Sequence, residues 1–244
     1  MSRALSVVTW NVLHRIHAEN WSEPVITAHP DERARVTAIA AQVAARAPQV
    51  ALQLLQEVSG DQLAAVRAQV GSSTCVLAMR YPRVPRPRGA AVTLVDPAEY
   101  LVVVAAGPAV LAHQAAFTDD GGKGYLAVEH QGLLALCAHL TYGERHLGQW
   151  AELAAYASGW PGPVVLGADF NADRATVAAR LGAGFTIGAP APGGRATRPR
   201  AVPSDKSQDI DHVVVRGASV EHVEVLDGAG LSDHNPVLAW LRLG

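Results

Sequence analysis

The sequence predicts α/β layers around a mostly antiparallel pair of sheets. Short apolar runs rich in β-branched and aromatic residues recur along the whole 244-residue chain. Segments with helical periodicity follow the early and middle runs. No shift in composition marks a second domain, so residues 1–244 read as one unit. Alanine is abundant and raises helix propensity everywhere, so periodicity discriminates better than propensity.

Residues 5–11 read as a buried strand. Over 31–46, Val36, Ile39, Ala40 and Val43 recur at three-and-four spacing behind Asp31, a suitable helix cap. Residues 50–56 form a short strand that ends at Glu57, and 59–70 a second helix capped by Ser59. The middle is β-rich, with strands over 75–79, 90–95, 101–105, 125–129 and 133–139 separated by Gly, Pro and Asp. A helix follows over 145–158, a Pro-flanked strand over 164–167 and a short helix over 174–180. Residues 188–207 are rich in Pro, Gly and Arg and read as a long loop, a kind of segment that is often functional. Strands over 210–215, 220–226 and 236–241 close the chain.

Composition excludes several classes. Apolar residues make up 49% of the chain, enough for a sizeable core, and charged residues only 17%, too few for a charge-solvated disordered chain. The longest apolar run, 101–112, has 12 residues and contains Gly107 and Pro108. A bilayer span needs ~20, so no membrane helix is expected. The N-terminus lacks a secretory pattern. Cys75 and Cys137 lie in apolar, strand-like runs and read as buried thiols, which places the expected compartment in the cytoplasm. A net charge of −2 and a pI of about 6.5 exclude a globally basic nucleic-acid coat and leave local patches open.

Polar residues mark the ends of the apolar strands. They are Asn11, Glu57, His139, Asp169 with Asn171, Asp211, and Asp233 with His234. Singly, each suits a turn or a cap. Together, carboxylates, amides and imidazoles on one rim of a sheet make a site for a hard cation, with hydrogen-bond donors for a phosphate. Gln56, Ser232, Asn235 and His212 read as supports for those groups, and His14 and His17 as loop residues.

Thr9-Trp10-Asn11, Gln56-Glu57, Gly167-Ala168-Asp169-Phe170-Asn171, Ile210-Asp211-His212 and Ser232-Asp233-His234-Asn235-Pro236-Val237 occur in this order. The series resembles the motifs of the endonuclease/exonuclease/phosphatase superfamily. That resemblance implies a four-layer α/β sandwich and divalent-metal-dependent hydrolysis of a phosphate ester, foremost a phosphodiester. It implies Mg²⁺ or Mn²⁺, with Glu57 as principal ligand and Asn11 and Asp233 completing or flanking the metal site. Asp169 would orient or deprotonate the attacking water, and Asn171 would hold a phosphate oxygen. His234 would contact the phosphate or act as acid/base, with Asp211 holding its ring, and His139 would face the scissile phosphate. Apart from any family, phosphoryl transfer requires charge neutralisation and an in-line water. Arg88-Gly89-Ala90-Ala91-Val92 stands where the family's repair endonucleases carry Gly-Tyr-x-Gly-Val. The missing aromatic residue argues against abasic-site repair.

Two loops hold Arg80, Arg83, Arg86 and Arg88, and Arg195, Arg198, Arg200 and Lys206, together eight of the 20 basic residues. A local positive patch focuses anions, so Arg88, Arg198 and Lys206 are candidates for a phosphate-binding rim. The expected partner is a phosphate-ester substrate, either nucleic acid or a small phosphodiester, with no membrane insertion. The alternatives are a phosphomonoesterase, a small-molecule or lipid head-group phosphodiesterase, and a catalytically silent binding module. Three Phe, five Tyr and five Trp provide few stacking platforms, which leans toward a small or short substrate.

Overall fold

The computed structural model describes residues 3–89, 93–143, 146–200 and 208–244. One sheet contains β1 (Arg3–Asn11), β2 (Leu52–Ser59), β3 (Thr74–Arg80), β4 (Glu99–Ala106), β11 (Ala218–Val225) and β12 (Val237–Leu243). Its order is β11-β12-β1-β2-β4-β3. The second contains β5 (Val110–Phe117), β6 (Asp120–His130), β7 (Leu133–His139), β8 (Val164–Asp169), β9 (Thr186–Ile187) and β10 (Asp211–Arg216), in the order β5-β6-β7-β8-β10-β9. Among the described residues, β1–β2 and β7–β8 are the parallel pairs and all other neighbours are antiparallel. Both sheets therefore repeat one pairing pattern, with the parallel pair in the middle.

The two-residue period of the strands makes the layers. On β1, Leu5 and Val7 face the other sheet, packing with Leu54, Val103, Leu126, Cys137 and Val165. Val8 and Trp10 face outward against Ile39 and Val43 of α3 (Glu32–Arg46) and Leu63 and Val66 of α4 (Gly60–Gln69). On the far side, Leu134, Leu136 and Leu166 pack under Trp150 and Leu153 of α5 (Leu147–Gly159) and Val177 of α6 (Arg174–Leu181). Helix, sheet, sheet, helix is the four-layer sandwich, buried on both faces of each sheet. Asp31 caps α3 by accepting from the backbone of Arg33 and Ala34 at 3.0 and 3.2 Å. Ser59 and Gln62 form a reciprocal capping box on α4.

Several expectations need correction. Residues 90–92 lie outside the described residues, and 93–95 are not a strand. The Asp61 carboxylate takes the backbone N–H groups of Val95 and Asp96, at 3.0 and 2.9 Å, and Val95 is exposed. β2 does not stop at Glu57 but passes through an irregularity between Leu55 and Val58 to Ser59. β5 pairs with β6 despite a sequence poor in β-branched residues, because tertiary pairing overrides propensity at this exposed edge. α1 (Arg15–Trp21) and α2 (Val25–Ala28) occupy what reads as loop, so His14 caps a helix and His17 lies within it. Cys75 is only half-buried, whereas Cys137 is buried, and both thiols are free. Among the described residues, no helix is long and apolar enough to cross a membrane.

Candidate active site

Two parallel strand pairs point their carboxyl ends to one edge of the sandwich. Asn11 ends β1 beside Gln56 of β2, and His139 ends β7 beside Asp169 of β8. Asp211 opens β10 directly opposite Asp169. His139, Asp169 and Asp211 are thus neighbours across three strands. Gly167, two residues before Asp169, lets the sheets close: a Cβ there would meet Leu54 Cδ1 at 2.5 Å and Thr9 Cβ at 3.0 Å. In the gap, Gln56 donates to Thr9 Oγ1 at 3.0 Å and to the Gly167 carbonyl at 3.3 Å, tying one sheet to the other.

The buried Asp169 carboxylate is the meeting point. Asn11 Nδ2 donates to its Oδ2 at 3.0 Å, and the Asn171 backbone N–H donates to Oδ1 at 2.9 Å. His139 Nε2 lies 3.4 Å and His234 Nε2 3.8 Å from the same Oδ2. Burial and then the Asp211 charge push the Asp169 carboxyl up to about 6, against the pull of His234, Lys123 and Asn11. His234 Nδ1 is 2.8 Å from Asp211 Oδ2, which leaves Nε2 facing Asp169. Burial lowers the His234 pKa, but Asp211, then Asp233 and Asp169, outweigh it and raise the ring to about 10. Glu57 accepts from the His14 backbone at 3.3 Å and lies 3.8 Å from His139 Nε2. Burial raises its pKa, but His17, His139 and Lys123 outweigh that and hold it at about 2. His139 is driven well below the usual imidazole range by burial and by Lys123.

Three non-glycine residues around these groups have left-handed backbones: Leu13 (φ 57°), Glu57 (φ 55°) and Asn171 (φ 49°). Asn tolerates this region, while Leu and Glu do not adopt it without support.

Of the predicted supports, Ser232 bonds to site residues directly, while Asn235 and His212 bond to neighbouring backbone. Ser232 Oγ donates to the Asn11 carbonyl at 2.7 Å and accepts from the His234 backbone at 3.1 Å. Asn235 bridges Ala196 and Gly228 at 3.0 Å each. His212 turns to the Ala172 carbonyl, 3.0 Å away. Asn171 Nδ2 donates to the Leu140 carbonyl at 2.9 Å and lies 3.4 Å from His139 Nε2. Asp233 Oδ2 is 2.8 Å from Arg198, which also reaches Glu23 at 3.0 Å. Arg198 is therefore engaged by two carboxylates of its own chain. The Arg88 guanidinium lies 4.7 Å over the Trp21 ring, and Lys206 falls outside the described residues.

Asp169, Asp211 and His234 each offer a ligand atom, all within 4.8 Å of one another. Asp211 Oδ1 and Asp233 Oδ1 are buried without a hydrogen-bond partner among the described residues. Oxygen-rich donors, unsatisfied at this depth, fit a divalent cation.

Some residues escape the sequence reading. Lys123 of β6 lays its ammonium against His139, 2.9 Å from Nδ1. A signal was present: it is one of only two lysines beside 18 arginines, set between glycines. Buried Thr197 accepts from the backbone of Ile210 and Asp211 at 3.0 and 3.2 Å. His17 Nε2 is 3.0 Å from Glu99 Oε2.

The fold and this edge define an α/β sandwich with a carboxylate–imidazole site at the ends of its parallel strands. The chain belongs to the Endonuclease/Exonuclease/phosphatase family, whose model matches residues 8–234. Curated proteins gave no match to the sequence. Among solved structures, an endonuclease/exonuclease/phosphatase from Bacteroides vulgatus is 16% identical, with a TM-score of 0.69 over 99% of this chain and 100% of that one. TDP2 from D. rerio, complexed with single-strand DNA product, is 15% identical, with a TM-score of 0.67 over 98% of each chain. TDP2 from C. elegans is 16% identical, with a TM-score of 0.64 over 98% of this chain and 75% of that one. At these identities the likeness concerns the fold.

Proposed function

We propose that this protein is a divalent-metal-dependent phosphodiesterase of the nuclease or nucleotide type. The observation that carries this reading is the Asp169 carboxylate, held between Asn11 at 3.0 Å, His139 at 3.4 Å and His234 at 3.8 Å. A carboxyl tuned to about 6 is matched to taking a proton from an attacking water near neutral pH. Asn11 and the Asn171 backbone fix its orientation. His234, kept protonated by Asp211, donates from Nε2 to a phosphate oxygen or the leaving group. His139, Lys123 and Asn171 hold the remaining phosphate oxygens. Glu57, Asn11 and Asp233 would hold Mg²⁺ or Mn²⁺. When bound, the cation supplies charge neutralisation at the phosphoryl group. The single-strand DNA product on the D. rerio TDP2 neighbour supports nucleic acid as substrate.

The test is hydrolysis of bis(p-nitrophenyl) phosphate beside p-nitrophenyl phosphate, with Mg²⁺, Mn²⁺ or EDTA, and Glu57→Gln as blank. Diester cleavage that needs the metal and Glu57 is expected. His234→Ala and Asp169→Asn should each lower kcat by at least about 10². Cleavage of the monoester alone would replace the diester reading with a phosphatase. Near-normal turnover in any of the three variants would refute that residue's role.

A further inference from the structure

We infer that Trp21 and Tyr142, on two segments that leave the site, stack the bases of unpaired nucleotides whose phosphate the site holds. The inference rests on the phosphodiesterase reading of the site. Trp21 is 64% and Tyr142 73% exposed, and among the described residues they are the aromatic rings within the set of exposed large apolar side chains. Trp10, Phe117, Tyr125, Trp150 and Phe170, by contrast, are buried. Both exposed rings lie on segments that leave the site. Trp21 follows His17 by four residues on α1, about 6 Å along the helix. Tyr142 follows His139 by three residues.

Each ring sits on a fixed base, and the Trp21 ring has an arginine over it. Asn20 latches the Pro-rich loop to α1, accepting from the Arg88 backbone at 2.7 Å and donating to the Arg86 carbonyl at 3.0 Å. That latch sets the Arg88 guanidinium over the Trp21 ring, while most of the indole stays open. On the other side, Thr141 is pinned by Gln149 at 2.9 Å and by Asp120 at 2.9 Å, and Asp120 pairs with Arg83 at 3.0 Å. Segments held this way lose little backbone freedom on binding. An exposed π-face, at Trp21 with a cation over the ring, matches a nucleobase and its phosphate. Lipid head groups and sugar phosphates have no such face, and paired bases are already stacked. The occupant is therefore single-stranded nucleic acid.

The test uses the full chain in EDTA, where turnover is blocked, with a fluorescein-labelled decathymidylate. The comparison probe is an abasic decamer of the same charge, and binding is read by anisotropy. The parent should prefer the decathymidylate by about tenfold or more. Trp21→Ala and Tyr142→Ala should each lose most of that preference with affinity for the abasic strand retained, and Trp21→Phe should keep it. A general folding defect would lower both affinities together. A parent blind to the bases, or alanine variants with the full preference, would overturn the site. Hydrolysis of bis(p-nitrophenyl) phosphate by the parent separates the two readings. Cleavage without base preference refutes the stacking site alone, and base preference without cleavage refutes the phosphodiesterase alone.

Discussion

Arg35→Met tests how the candidate site is held from behind. Arg35 is 1% exposed, on the inner side of α3. Its Nε and Nη2 donate to Glu32 at 2.7 Å each, and Nη2 also donates to the Leu13 carbonyl at 2.9 Å. Nη1 donates to the carbonyls of Val12 at 3.2 Å and Leu231 at 2.7 Å. All five guanidinium N–H groups are thus used, two on Glu32 and three on the loop after Asn11 and the loop before Ser232. Methionine keeps comparable bulk and no donor. Gln62 still reaches the Val12 and Leu13 carbonyls at 3.4 and 3.5 Å, and Arg15 still reaches Glu32 at 3.5 Å. The Leu231 carbonyl keeps nothing comparable. Breaking a buried pair from one side costs ~3–5 kcal/mol. Glu32 retains a partner, so the low end applies, and one orphaned buried carbonyl adds ~1–3 kcal/mol. The total of ~4–6 kcal/mol corresponds to a fall in Tm of ~10–20 °C for a chain of this size. Urea and thermal unfolding would measure it, with Arg35→Lys intermediate because it keeps the charge and loses the fork. An Arg35→Met variant within ~1 kcal/mol of the parent would refute the reasoning.

Thr197→Val keeps the shape and removes the acceptor for the Ile210 and Asp211 backbones, so stability should fall by ~1–3 kcal/mol and kcat more than KM should suffer. An unchanged kcat would show that Asp211 needs no such anchor. Asp169→Asn should stabilise the metal-free chain at neutral pH. The folded carboxyl is raised from 3.8 to about 6, so its ionisation costs stability progressively as pH rises through that window, ~3 kcal/mol in full. Urea unfolding in EDTA at acid and neutral pH should therefore show the variant's advantage growing through the window and levelling off above it, and a constant difference would contradict it. Burial pushes the Cys137 thiol to about 12, so at mildly alkaline pH iodoacetamide should label half-buried Cys75 and spare Cys137 until denaturant is added. Equal labelling in the native protein, read by mass spectrometry, would be the contrary result.

The strands that carry the site were legible because they are apolar on both faces and end in polar residues. β7 falls on 133–139 as the pattern has it, and α3 and α4 start after Asp31 and Ser59 through side-chain caps. α1 was not legible because its cap is His14, an uncommon capping residue, and the helix is short. Arg35 follows Glu32 by three residues, so it reads as one half of an exposed helical ion pair. Its burial arises only when the Val12 and Leu231 loops close over it. The basic loops illustrate the converse. Composition marks Arg198 as a free cation, but Glu23 and Asp233 arrive from distant parts of the chain to neutralise it.

The location of the site follows from the pairing pattern. In an antiparallel sheet, neighbouring strands end on opposite edges, so polar strand ends are dispersed. A parallel pair brings two carboxyl ends out side by side. Each sheet here has one such pair at its centre, and packing the sheets face to face gathers four ends, with Asn11, His139 and Asp169 as terminal residues and Glu57 two residues before the end of β2. The chain turns sharply at Leu13 and Asn171, just past β1 and β8, and at Glu57 within the irregularity of β2, each with a left-handed backbone. Such strain costs on the order of 1–3 kcal/mol per residue and persists only where surroundings over-determine it. Those surroundings are the bonds already described: Arg35 on Leu13, His14 on Glu57, and Asp169 on Asn171. The same bonds orient the donor groups, so strain and preorganisation at this edge have a single structural cause.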